Sequence, residues 1–125
     1  MSAENISVIR LHNRLLVTIP ADPDDATISV LQDKTLEAME AHDVKGLILD
    51  LSKVESFDSY FARVVAETAR MVTLMGGETI IAGMRPAVAI TATQLGLTLS
   101  TTRTALSVDR AFQILEEPAK VRRRA

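Results

Sequence analysis

The 125-residue sequence has no cysteine and no tryptophan, and aromatic residues make up only 3% of it. Without cysteine there is no disulfide, no thiol nucleophile and no thiolate metal site, as fits a reducing compartment. So few aromatic rings disfavour nucleic-acid modules that stack bases on them, and the core must be built from Leu, Ile, Val, Ala and Met. An excess of one charge is missing too. Fourteen basic residues against 16 acidic ones give a net charge of −2, which argues against a nucleic-acid or anionic-membrane surface over the domain as a whole. No apolar run approaches the ~18 residues needed to span a bilayer. The segment Met1-Ser2-Ala3-Glu4-Asn5 lacks the basic and apolar regions of a signal peptide. These absences predict a cytoplasmic protein.

Catalytic signatures are also lacking. The chain has no Gly-x-Ser-x-Gly elbow, no Gly-x-Gly-x-x-Gly and no P-loop. Its two histidines, His12 and His42, and its scattered carboxylates fit no metal-ligand spacing. Gly83-Met84-Arg85-Pro86 reads as a strand-to-helix turn and not as a phosphate cradle.

What is present is ordinary globular composition, 47% hydrophobic and 24% charged, in a length suited to one domain. Residues 6–11 and 15–19 read as strands around a hairpin loop, His12-Asn13-Arg14, and Pro20 ends the second. Asp22-Pro23-Asp24-Asp25 predicts a helix start with a capping Asp and Pro in the first turn. Ile28, Leu31, Thr35, Ala38 and Met39 then share one face of that helix. The apolar run from Gly46 to Leu51 suits a central strand covered on both faces. Phe61, Val64, Val65, Thr68, Val72 and Met75 form one stripe of a long helix closed by Gly76-Gly77.

Beyond it lie a strand over residues 79–82, a helix over about 87–95 with Pro86 at its start and Gly96 at its end, and a short strand near 101–104. A final amphipathic helix through Val108, Ala111, Phe112 and Leu115 is capped by Ser107. The expected fold is α/β, ordered ββαβαβαβα, with a mixed, mostly parallel sheet and helices packed against it. Residues 1–117 form the domain. Residues 118–125, ending Arg122-Arg123-Arg124, are a short basic tail.

Leu47 to Phe61 is the most informative stretch: a buried strand, a short loop, then Ser59 at the start of an amphipathic helix. A helix start tolerates negative charge, so a phosphate on that hydroxyl would be accommodated. On spacing alone a capping or surface role outweighs modification for Ser59, with Asp58 and Ser56 equally eligible as caps. Asp50 ends the central strand and is placed to hold the loop through backbone hydrogen bonds. A catalytic serine needs a base beside it, and neither histidine is placed to serve.

Asp50-Leu51-Ser52-x-Val54-x-x-x-Asp58-Ser59 resembles the signature loop of STAS domains, the family of anti-sigma-factor antagonists. Leu74-Met75-Gly76-Gly77, Gly83-Met84-Arg85-Pro86-Ala87-Val88-Ala89-Ile90-Thr91 and Gln94-Leu95-Gly96 narrow the resemblance to the RsbS type, small scaffold subunits of the stressosome. The resemblance implies a non-catalytic scaffold without cofactor or metal, in which Ser59 is phosphorylated by a serine/threonine switch kinase of the RsbT type. It implies an RsbR-type STAS paralogue as assembly partner, self-association, and a phosphatase that resets Ser59. Glu55, Ser56, Asp58, Ser59 and Tyr60 would form the partner-binding surface. RsbR-type relatives carry threonine at the Ser59 position and an added N-terminal sensor domain, so serine here and the lack of room for a sensor favour the RsbS side. Their second modified threonine lies near Thr91, a weaker candidate. Two other readings stand beside this one: a stand-alone anti-anti-sigma factor binding an anti-sigma kinase, and a small serine hydrolase.

Overall fold

Strand β1 (Ser7–Leu11) and strand β2 (Arg14–Thr18) open the chain as an antiparallel hairpin. His12 and Asn13 turn it, both in the left-handed region with φ of 51° and 66°, the backbone that suits a two-residue hairpin turn. Arg14 pairs with Leu11, so the turn is one residue shorter than the expected loop. These strands belong to a computed structural model that describes residues 6–97 and 102–117.

Helix α1 (Asp25–His42), strand β3 (Gly46–Asp50), helix α2 (Ser59–Leu74) and strand β4 (Glu78–Ala82) follow. Helix α3 (Pro86–Gln94), strand β5 (Arg103–Ala105) and helix α4 (Val108–Glu116) complete the order ββαβαβαβα. The sheet runs β1-β2-β3-β4-β5, antiparallel only between β1 and β2. Right-handed crossovers that all step the same way along a sheet put their helices on one face. Accordingly Leu15, Val17, Leu47, Leu49 and Ile81 pack with Ile28 and Leu31 of α1, Val65 and Val72 of α2, and Val88 of α3. The other face is covered by α4, whose Ala111, Ile114 and Leu115 meet Ile48, Ile80 and Ala82. The central strand β3 is therefore buried from both sides, as its unbroken apolar run requires.

Three expectations are corrected in detail. Pro23 is not in the first turn of α1: Asp24 caps the helix by accepting from Thr27 N–H at 2.8 Å, so the proline precedes the cap. Met75 leaves the buried stripe of α2 and is 45% exposed, because Gly76, at φ +87°, ends the helical period at Leu74. The last strand sits at Arg103–Ala105, and position 101 of the expected strand lies outside the described residues. Helix α3 has Pro86 at its start as expected, at the first helical position, where a missing N–H costs nothing. The basic tail over 118–125, with Arg122, Arg123 and Arg124, also lies outside the described residues.

Candidate functional site

The site is built where β3 gives way to α2, at the carboxyl edge of the parallel strands. Leu51 N–H donates to Ala82 O at 2.9 Å and Val54 N–H to Leu51 O at 3.0 Å, while Leu51, Val54 and Phe57 are buried. Three apolar anchors thus pin a loop whose remaining side chains face outward. Asp50 Oδ1 accepts from Ser52 N–H at 3.0 Å. Phe57 packs on Phe61 with ring centroids 4.7 Å apart, joining the loop to the first turn of α2.

Two neighbouring segments fasten the loop from either side. From the β2–α1 connection, Ala21 O accepts from Glu55 N–H at 2.8 Å, and Asp22 Oδ1 accepts from the Ser56 hydroxyl at 2.7 Å. From the β4–α3 connection, Arg85 Nε donates to Ser52 O at 3.0 Å. The Arg85 guanidinium also lies 3.7 Å from Glu55 Oε2. Both side chains of that ion pair are at least half exposed, so it contributes little beyond orientation. Gly83 approaches the same loop. A Cβ there would stand 3.0 Å from Ser52 Cβ, and its φ of +75° disfavours any side chain. Arg85 and Asp22 were not among the expected site residues. No sequence signal marks them, because each acts on a loop more than thirty positions away.

The helix start settles which residue is the cap. Asp58 Oδ1 accepts from Phe61 N–H at 2.9 Å, and Asp58 has the extended backbone of a cap. Ser56 is committed to Asp22. Ser59 is then the first helical residue, exposed, and its hydroxyl has no hydrogen-bond partner among the described residues. Tyr60 is half-buried. Ser59, Ala62, Arg63 and Ala66 border a shallow recess of about 170 Å³ whose far wall is Leu95, Gly96 and Leu97 just after α3. Glu55, Ser56, Asp58, Ser59 and Tyr60 are thus brought together at one edge of the molecule. Thr91 is elsewhere occupied: half-buried on α3, it donates its hydroxyl to Ala87 O at 3.1 Å.

The histidines lie far from this edge. β2 runs from Arg14 towards Ile19, whose N–H meets Asp50 O at 3.2 Å, so the β1–β2 turn with His12 is at the opposite end of the sheet. His42 ends α1 just before β3 begins, at that same opposite end. Neither reaches Ser59. Among the described residues no group of three His, Asp or Glu side chains could hold a metal. No helix there is long and apolar enough to cross a membrane.

A sheet of this order, with a capped serine-bearing helix start beyond the edge of its central strand, defines a class. Residues 5–111 match the STAS domain, and the chain belongs to that family. It is 31% identical over 85 residues, 68% of its length, to the RsbT co-antagonist protein RsbRB of Bacillus subtilis (strain 168). It spans only 31% of that relative's length. Among solved structures, a serine-to-glutamate variant of RsbS from Moorella thermoacetica superposes with a TM-score of 0.81 at 29% identity, covering 92% of this chain and 97% of that one. A chain of the stressosome, described as a signal integration and transduction hub, superposes at 0.75 and 29% identity, covering 89% of this chain and 100% of that one.

Proposed function

We propose that this chain is a non-catalytic, cytoplasmic scaffold subunit of a bacterial stressosome. It holds a serine/threonine switch kinase of the RsbT type while Ser59 is unmodified and releases it once Ser59 is phosphorylated. One observation carries this reading. The structural duties at the start of α2 are discharged by its neighbours, with Asp58 capping the helix and Ser56 tying down Asp22. Ser59 is left exposed with an idle hydroxyl. The likeness to RsbS and to a stressosome chain supports it, and the RsbT co-antagonist relatives support an RsbR-type assembly partner.

Phosphorylation adds about −1.5 to −2 charge beside Asp58 and Glu55. The positive end of α2 accommodates that charge, so the fold survives, whereas a kinase surface complementary to a neutral serine meets repulsion. Each tenfold loss of kinase affinity corresponds to about 1.4 kcal/mol, so a charge in the contact surface need supply only a few kcal/mol to free most of the kinase. Glu55, Ser56, Asp58, Ser59 and Tyr60 form the contact surface, and a phosphatase resets the switch. Thr91 is the weaker modification candidate because its hydroxyl is engaged within α3.

The test is direct. The chain, assembled with an RsbR-type paralogue into a large particle, is incubated with an RsbT-type kinase and ATP, and phosphate is mapped by mass spectrometry. The phosphate is expected on Ser59. Ser59→Ala should keep the kinase after ATP is added, and Ser59→Asp should bind it at least tenfold less tightly. An unmodified Ser59, or an Asp variant that retains kinase as well as the parent, sinks the switch. Failure to form the particle leaves a stand-alone antagonist instead.

A further inference from the structure

We infer that Arg63 is the built-in counter-ion for a phosphate on Ser59, an inference that rests on reading Ser59 as the phosphoacceptor. Three observations converge on it. Arg63 follows Ser59 by four positions in α2, and the two border the same recess. Residues so spaced are neighbours on a helix surface, and an acid placed N-terminal to its base is the better orientation. Long helical side chains lean back towards the N-terminus, and Arg63 does so: its Cζ lies 5.4 Å from the centroid of the Tyr60 ring, one turn nearer the helix start. The guanidinium is thereby held at the end of the helix where Ser59 stands.

Apart from the Tyr60 ring, Arg63 has no charged partner: among the described residues no carboxylate lies within ion-pair distance of it. The nearby cation Arg85 is already engaged with Glu55 and Ser52 O. A guanidinium and a phosphate form paired, charge-assisted hydrogen bonds that a point charge does not match.

The consequence is a two-part switch. In the unmodified protein Arg63 is an exposed cation resting on Tyr60, available to a carboxylate of the partner. Phosphorylation adds negative charge at Ser59 and at the same time withdraws this cation from the surface. The partner meets an added repulsion and loses an attraction in one event.

Phosphoserine placed at position 59 of the full chain during translation allows the test whether or not any kinase uses Ser59. The second ionisation of the phosphate is followed by phosphorus NMR at low salt. In the parent it should occur about 0.2–0.4 pH unit below its position in Arg63→Gln, the size of a helical i, i+4 ion pair. Arg63→Lys should recover part of the shift, and ~1 M salt should abolish it. Arg70→Gln removes the same charge farther along the same helix and should leave the parent value. Coincident titrations of the parent and Arg63→Gln would overturn the inference, as would an equal shift in Arg70→Gln. Either result leaves the phosphoacceptor reading intact, because the kinase experiment alone decides that.

Discussion

The two ends of α2 are fixed by opposite means. At its C-terminal end the constraint is steric. Gly76 takes φ +87°, Gly77 N–H returns to Val72 O at 2.9 Å, and a Cβ on Gly77 would stand 2.9 Å from both Lys45 O and Met39 Cε. Leu74, at 87% exposure, is left bare there, and the only side-chain hydrogen bond in the last turn among the described residues is the local one from the Thr73 hydroxyl to Ala69 O at 3.1 Å. At the N-terminal end the constraint is polar and shared among side chains. Asp58 caps, Ser56 ties to Asp22, Asp50 holds Ser52, and Arg85 closes the loop from outside. A steric lock resists added bulk and offers no chemistry. A lock distributed over several polar residues can hold a helix start still while leaving one hydroxyl spare.

Substitutions can break this contrast in order of size. Phe61→Ala, at a position only 1% exposed and stacked on Phe57, should cost about 3–5 kcal/mol in denaturant unfolding and loosen the N-terminal end along with the core. Gly77→Ala should cost about 1–3 kcal/mol, with no effect on phosphorylation of Ser59 in the surviving folded protein. Asp58→Ala should cost about 1 kcal/mol, and Asp58→Asn much less, since asparagine caps equally well. Ser59→Ala should change stability by no more than about 0.5 kcal/mol, read from the same unfolding curves. If Ser59→Ala instead destabilised as much as Asp58→Ala, the hydroxyl would have a structural duty and the contrast would fail.

Much of this was legible in the sequence, and the exceptions share a cause. The unbroken apolar run of β3 and the stripe Phe61, Val64, Val65, Thr68 and Val72 depend on local periodicity, and both lie where periodicity placed them. Asp50 needed only a contact two residues along. The choice among Asp58, Ser56 and Ser59 as cap could not be made locally, because it turned on Asp22, 34 positions away, claiming Ser56. Arg85 was invisible for the same reason: its carbonyl partner is 33 positions distant. Strand β5 blurred because its three residues are at most half-buried, so neither alternation nor an apolar run marks it. The expectation that Ser59 is a phosphoacceptor came from the family resemblance alone, since local chemistry favoured a capping or surface role.

The arrangement of the second sheet face has a consequence for synthesis. Each strand pairs with the one made just before it, so the sheet can grow by addition as the chain leaves the ribosome. The cover over Ile48 and Ile80 is the last helix described, α4. At about 5–20 residues per second, a few seconds separate the emergence of Ala82 from that of Glu116. Through that interval the half-made domain carries a bare apolar strip on an otherwise assembled sheet, and it is most exposed to chaperones and to its own copies just before it is finished.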